Sequence, residues 1–241
     1  MPPNVATRTD GPSSWFEALP PVTKLYMCLL VGATLGYSLQ LLSPAAMALL
    51  WDRVVHKFEV WRLITNFMFL GPFGLHFFFM LLFLHNYGVA LEVGTFTGRT
   101  ADYVWVYVFA MLIILGYSFL GYMQWVPALV GPFNAEPIIH TVLFVWSRNF
   151  AEQSVSIYGL FKLQAFYLPF AMLALSMIMG ASPIPSLTGI VIGHLYHFMS
   201  SIIPRAGGHN YIGTPQWLKN AVARSGIGTV NPAEVTWASG P

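Results

Sequence analysis

The sequence predicts an all-α integral membrane protein with six transmembrane helices and an amphipathic first loop. Three observations carry that reading. Of 241 residues, 56% are hydrophobic and 8% are charged, with a mean hydropathy of +0.63. A soluble domain needs about 25% charged residues to keep its surface wet. The apolar residues gather into runs that can cross about 30 Å of hydrocarbon, which takes about 20 helical residues each. The basic residues then divide unequally between the two sides of those runs.

Residues 1–14 are polar and lack an apolar core, so they are not a cleavable secretory signal, and the first span is expected to act as an uncleaved anchor. Ser14 and Glu17 have the spacing of a capping box, and Pro20 and Pro21 end that short helix, with Trp15 and Phe16 at headgroup level. The first span covers residues 22–42. In the connection 43–65, Leu50, Val54, Phe58, Trp61 and Ile64 recur at helical spacing and form one apolar stripe. Arg53, His56, Lys57, Glu59 and Arg62 fill its other sides, so the pattern predicts a helix lying in the interface plane.

The second and third spans are read at 66–90 and 101–122. The fourth is interrupted by Pro127, Pro132, Asn134, Glu136 and Pro137, leaving 137–146 as its clean apolar part. Ten residues at about 1.5 Å each reach only half-way across a bilayer. Either a broken helix completes the crossing or the bilayer thins around it. The apolar run 168–203 breaks at Gly180 to Pro185, giving spans near 166–180 and 185–203. The chain thus divides into an N-terminal segment 1–21, a membrane domain 22–203 and a largely flexible tail 204–241.

With six spans, Arg8, Lys24, Arg99, Arg148, Lys162, Arg205, Lys219 and Arg224 share one side, against Arg53, Lys57 and Arg62 on the other. That bias puts both termini in the cytosol. A net charge of +2 without any Lys/Arg run excludes a nucleic-acid partner. Cys28 is the sole cysteine, which excludes an internal disulfide and a cysteine-based metal site.

The remaining chemistry lies in polar residues within apolar spans. Ser182, Ser186, Gly189, Gly193, His197 and Ser200 form a stripe of mostly small residues, a surface on which a neighbouring helix packs closely. His194 and His197 have no adjacent carboxylate, so they predict no metal; each bonds a backbone carbonyl or lines a wet cavity. Glu136 and His140 lie four apart and mark either an intramembrane cavity or, for Glu136, a solvated loop. His76 and His85 read as ordinary bundle residues. Trp61 and Arg62 suit a membrane anchor, with the arginine snorkelling to phosphates.

Five motifs together resemble a known family: Trp61-Arg62 in the first loop, EVGTFTGRTADY from Glu92 to Tyr103, Tyr167-Leu-Pro-Phe170, Gly189-x-x-x-Gly193-His-Leu-Tyr, and Gly213-Thr-Pro-Gln-Trp-Leu218. In this order they look like the derlins, rhomboid-like pseudoproteases of the endoplasmic reticulum. The resemblance runs from about Trp15 to about Leu218. It implies a six-span rhomboid-like fold, an endoplasmic reticulum membrane location, and a part in degrading misfolded proteins returned to the cytosol. It also implies a ubiquitin-ligase complex and an AAA ATPase as partners; the lipid bilayer is a further partner, no cofactor is expected, and the sequence leaves open whether the chain works alone or as a homo- or hetero-oligomer. Trp61, Arg62 and Phe58 would then belong to a substrate-facing first loop and Glu136 and His140 to a lateral, hydrated cavity, with the short fourth span and the first loop thinning the membrane.

Active rhomboids pair a Gly-x-Ser serine on span four with a histidine three residues before a Gly-x-x-x-Gly pair on span six. The matching position here is Ser186, and the fourth span has no Gly-x-Ser. The resemblance therefore implies a protein without that catalytic pair. Two rival readings remain: an intramembrane serine protease built on Ser118 with His140, His194 or His197, and a small-molecule transporter. The transporter reading is weakened by the lack of an internal repeat.

Overall fold

Proline stands at the start of several helices, because the first turn has no use for the N–H that proline lacks. The computed structural model describes residues 16–126, 131–157, 161–209 and 211–228. Helix α1 (Pro21–Ser38) opens on Pro21. A short helix α2 (Trp51–Lys57) lies in the first loop. Helices α3 (Leu75–Thr95) and α4 (Thr100–Tyr122) follow, both long and apolar enough to cross a membrane. Next come α5 (Ala135–Asn149) and a small antiparallel hairpin, β1 (Ser154–Ile157) with β2 (Phe161–Gln164), in which Ser154 faces Gln164. Helix α6 (Leu168–Ile178) is short; α7 (Pro183–Arg205) is the third helix of spanning length, and Ser182 caps it. Helix α8 (Gln216–Ser225) packs Leu218 and Val222 against Ala101 of α4.

Helix α5 is the axis of the bundle. From Pro137 to Ser147 every residue is buried, and Ile138, Ile139, Val142 and Leu143 join Leu30, Leu91, Val106, Ile114, Leu168 and Met172 in one core. A helix buried on all sides must be apolar or have its polar groups bonded, and here the buried Thr141 and Ser147 hydroxyls donate to the Pro137 and Phe144 carbonyls.

Four sequence expectations need correction. The second span starts at Leu75 rather than near residue 66, because Gly71 (φ 115°) and Pro72 hold the preceding chain in a turn. The stripe from Leu50 to Ile64 is not one helix: Phe58 adopts a left-handed conformation (φ 55°) that ends α2, and only a single turn resumes at Arg62–Thr65. The fourth helix is short but unbroken, since Pro137 falls in its first turn, where it removes no helical hydrogen bond. The segment after residue 204, expected to be loose, contains α8, and Gly228 is seated against Thr100. Ser14, the capping half of the Ser14–Glu17 box, and Trp15 lie outside the described residues.

Two polar knots fix the ends of the bundle. At one end the Glu92 carboxylate accepts from the backbone N–H groups of Val22 and Thr23 (2.9 and 2.8 Å) and from Thr23 Oγ1 (2.7 Å). It thus caps α1 from a neighbouring helix, where a negative charge also suits the helix dipole. Two π-turns in α3, Leu84–Gly88 and Leu91–Thr95, contain the residues that reach α1: Gly88, which faces Thr23, and Glu92. At the other end Asn134 donates its backbone N–H and its side-chain amide to Asn66 (2.9 Å each), and Leu49 donates to the Pro132 carbonyl (2.9 Å).

Candidate functional site

The first turn of α5 puts Glu136 where α3, α5 and α7 meet, at the end of the bundle near the first loop. Ser186 of α7, wholly buried, donates to Glu136 Oε1 at 2.9 Å. His76, in the first turn of α3, brings Nε2 to 3.3 Å from the other carboxylate oxygen. His140 lies one turn further along α5 and bonds through Nδ1 to the Glu136 carbonyl (3.1 Å). A carbonyl only accepts, so His140 Nδ1 carries the proton and Nε2 is bare. That nitrogen and His76 Nδ1 are both buried without a protein partner. Buried polar atoms of this kind are commonly met by water. Among the described residues the three side chains form no metal-ligand set.

Close approach of α7 to α5 makes the cluster possible. A Cβ at Gly189 would press on the Pro137 carbonyl oxygen and lie 2.5 Å from His140 Cβ; one at Gly193 would lie 2.7 Å from Phe144 Cβ. With only hydrogens there, Thr141 Oγ1 reaches the Gly189 carbonyl at 3.2 Å. His197 is elsewhere, near the opposite end of α7, and does not meet Glu136. Ser118 accepts from the Trp51 indole N–H at 2.9 Å, which ties α4 to the first loop.

A lateral cavity of about 360 Å³ opens beside the cluster, between the start of α3 and the end of α6; Pro72, Phe73, His76 and Met179 line it. His76 therefore has one nitrogen on Glu136 and borders this opening.

The first loop separates its two notable residues. Trp61 is half exposed, as are Val60 and Ile64, and Phe58 is 79% exposed, so they present one apolar edge. Arg62 does the opposite of snorkelling: it is 3% exposed, and its Nη1 donates to the Ala45 and Ala48 carbonyls (2.5 and 2.8 Å) while Nε meets Glu59 (2.5 Å). The Arg62 guanidinium holds the Glu59 carboxyl below the usual carboxylate range, with a smaller contribution from Arg53.

Sequence reasoning missed the His76–Glu136 contact, which joins residues 60 positions apart on different helices. The available signal was that both are ionisable groups at the same edge of apolar runs, where each needs a partner.

A helical membrane protein with a buried central helix, glycine-seated against its neighbour and bearing a Glu–His–Ser cluster at one end, is the class that fold and site define. The chain belongs to the Der1-like family, whose model matches residues 19–216. It is 41% identical to Derlin-1 of Oryza sativa subsp. japonica over 236 residues, covering 96% of this chain and 95% of that one. Derlin-1 of Arabidopsis thaliana is also 41% identical, with 96% and 86% covered. Derlin-2.2 of Arabidopsis thaliana is 32% identical, with 94% of each covered.

Proposed function

We propose that this chain is a non-catalytic factor of endoplasmic-reticulum-associated degradation that engages misfolded proteins and aids their passage to the cytosol. In this reading six helices (α1 and α3 to α7) cross the membrane with both termini cytosolic, in keeping with the eight-to-three division of basic residues. A ubiquitin-ligase complex and an AAA ATPase act beside it.

The observation that carries the non-catalytic part is Ser186. It occupies the position where active rhomboids hold their base, and it is a fully buried hydroxyl donating a hydrogen bond to Glu136. A serine there can neither accept a nucleophile's proton as imidazole does nor be reached by a substrate carbonyl.

The lateral opening supports the binding part. A polar backbone in hydrocarbon costs several kcal/mol per unsatisfied group. The bare nitrogens of His76 and His140 favour water beside that opening, which lowers the cost locally. Helix α5 has 15 residues and α6 has 11. At about 1.5 Å per residue both fall short of a 30 Å core, which favours a thinned bilayer on this flank.

Site-directed crosslinking tests it. A photo-reactive residue at Phe73 or Trp61 should trap a stalled degradation client in native membranes, whereas one at Leu112 on the exposed face of α4 should not. Equal trapping at all three would overturn the lateral route. Stoichiometric labelling by a serine-reactive phosphonate, lost on Ser118→Ala, would overturn the non-catalytic assignment and favour the protease reading.

A further inference from the structure

Where α4 ends beside the first loop there is a second cavity, of about 400 Å³, which shares no residue with the Glu136 cluster or the lateral opening. Its walls include Trp51 and Asp52 of α2, Ser118 and Tyr122 of α4, and Pro132. Helix α4 is long enough to cross the membrane. A spanning helix leaves the hydrocarbon at its last turn, so a cavity bounded by Ser118 and Tyr122 sits at headgroup level.

Aromatic rings gather at this wall. The Trp51 ring centroid lies 5.0 Å from that of Phe119 and 6.5 Å from that of Tyr122, and the last two are 6.3 Å apart. The polar atoms of both lining rings are already engaged: Trp51 donates its indole N–H to Ser118 (2.9 Å), and Tyr122 donates its hydroxyl to Asp52 Oδ1 (3.2 Å). Trp51 and Tyr122 therefore bring ring surface to the cavity rather than a hydrogen-bond donor. Asp52 is the one charged residue of the lining. Among the described residues no cation lies within ion-pair distance of it.

Ring faces and a carboxylate without a counter-ion together attract a cation. A primary ammonium is compact and strongly hydrated, and its three N–H groups each want an acceptor. A quaternary ammonium donates no hydrogen bond, and aromatic rings are what recognise it. We infer that this cavity binds a choline group, presented either by the headgroup of phosphatidylcholine or by a soluble phosphocholine compound. The Trp51 and Tyr122 rings meet the methylated nitrogen, and Asp52 balances its charge. The site goes beyond the part in degradation proposed above and does not rest on it. Trp125, 75% exposed just after α4 and outside the lining, is by contrast an ordinary interfacial aromatic.

The test supplies the full chain, in mild detergent, with equal amounts of phosphatidylcholine and phosphatidylethanolamine of the same acyl chains. The two differ only in the methyl groups on nitrogen, and native mass spectrometry reads which is retained. In a second arm, glycerophosphocholine and glycerophosphoethanolamine are titrated calorimetrically into nanodiscs that contain no choline lipid. Expected is retention of phosphatidylcholine over phosphatidylethanolamine, weakened about tenfold by Tyr122→Leu and about threefold by Asp52→Asn. Trp125→Leu should leave it unchanged. If phosphatidylcholine is not preferred but glycerophosphocholine binds over glycerophosphoethanolamine with the same dependence on Tyr122 and Asp52, the choline comes from a soluble molecule and the site stands. Three results would each overturn it: no discrimination by methylation in either arm, discrimination that survives both Tyr122→Leu and Asp52→Asn, or a loss on Trp125→Leu as large as that on Tyr122→Leu. Asp52 is exposed and its asparagine variant keeps an acceptor for Tyr122, so that arm separates charge from folding, and melting temperatures verify that both variants are folded.

Discussion

Replacing Gly189 with alanine sets two effects of opposite sign against each other. In an unconstrained helix alanine is favoured over glycine by about 1 kcal/mol. Here the new methyl meets the Pro137 carbonyl oxygen and lies 2.5 Å from His140 Cβ. Neither neighbour yields cheaply, since one is backbone in the first turn of α5 and the other is a buried side chain. Helix α7 must back away, and overpacking of this kind costs about 1–3 kcal/mol. The separation also stretches the bond from Thr141 to the Gly189 carbonyl, worth about 0.6 kcal/mol between membrane helices. Packing wins, and about 1–2 kcal/mol of stability is lost. Gly116 of α4 is the control: nothing lies within 4 Å of its would-be Cβ, so propensity acts alone there. Thermal unfolding in one mild detergent reads the difference, since 1 kcal/mol moves the midpoint by about 2–4 °C in a chain of this size. Gly189→Ala should melt about 2–8 °C below the parent, and Gly116→Ala at or above it. A Gly189→Ala protein as stable as the parent would refute the close seating of α7 on α5.

Three further predictions follow the polar knots. Glu92→Ala strands the Val22 and Thr23 N–H groups at the start of α1 and should cost roughly 2–4 kcal/mol, read by denaturant titration in micelles. Arg62→Lys keeps the charge but loses the fork, so hydrogen exchange in residues 44–60 should rise while that of α5 stays slow. Glu59 has a folded-state carboxyl pKa below its unfolded value of about 4.3, so its stabilisation is complete above that value and fades as pH falls through the folded one. Exchange of the first loop should therefore be flat in pH near neutrality, after correction for intrinsic rates, and should rise in acid; Glu59→Gln should abolish that step.

Legibility in the sequence tracked the range of the interaction. Helix α4 runs from Thr100 to Tyr122, beside an expectation of 101–122, because an uninterrupted apolar run leaves no choice of boundary. The start of α3 was misplaced because Gly71-Pro72 sits inside an apolar run, and hydropathy does not register backbone geometry. The break at Phe58 was invisible for a related reason: a left-handed phenylalanine is uncommon, and the stripe passes through it undisturbed. Helix α8 carried a usable signal, Leu218 and Val222 four apart just after Pro215, that the polar composition of the tail obscured. The pairing of His76 with Glu136 depends on how three helices converge, which local patterns do not encode.

The first loop is tied within itself by Arg62 to the Ala45 and Ala48 carbonyls, and to the rest of the fold by Asn66 with Asn134, Leu49 with Pro132, and Trp51 with Ser118. A segment sewn that tightly makes a poor flap. The other wall of the opening, α6, is tied far more lightly: it is eleven residues long, buried only at Leu168, Pro169, Met172 and Ser176, and followed by a left-handed Gly180.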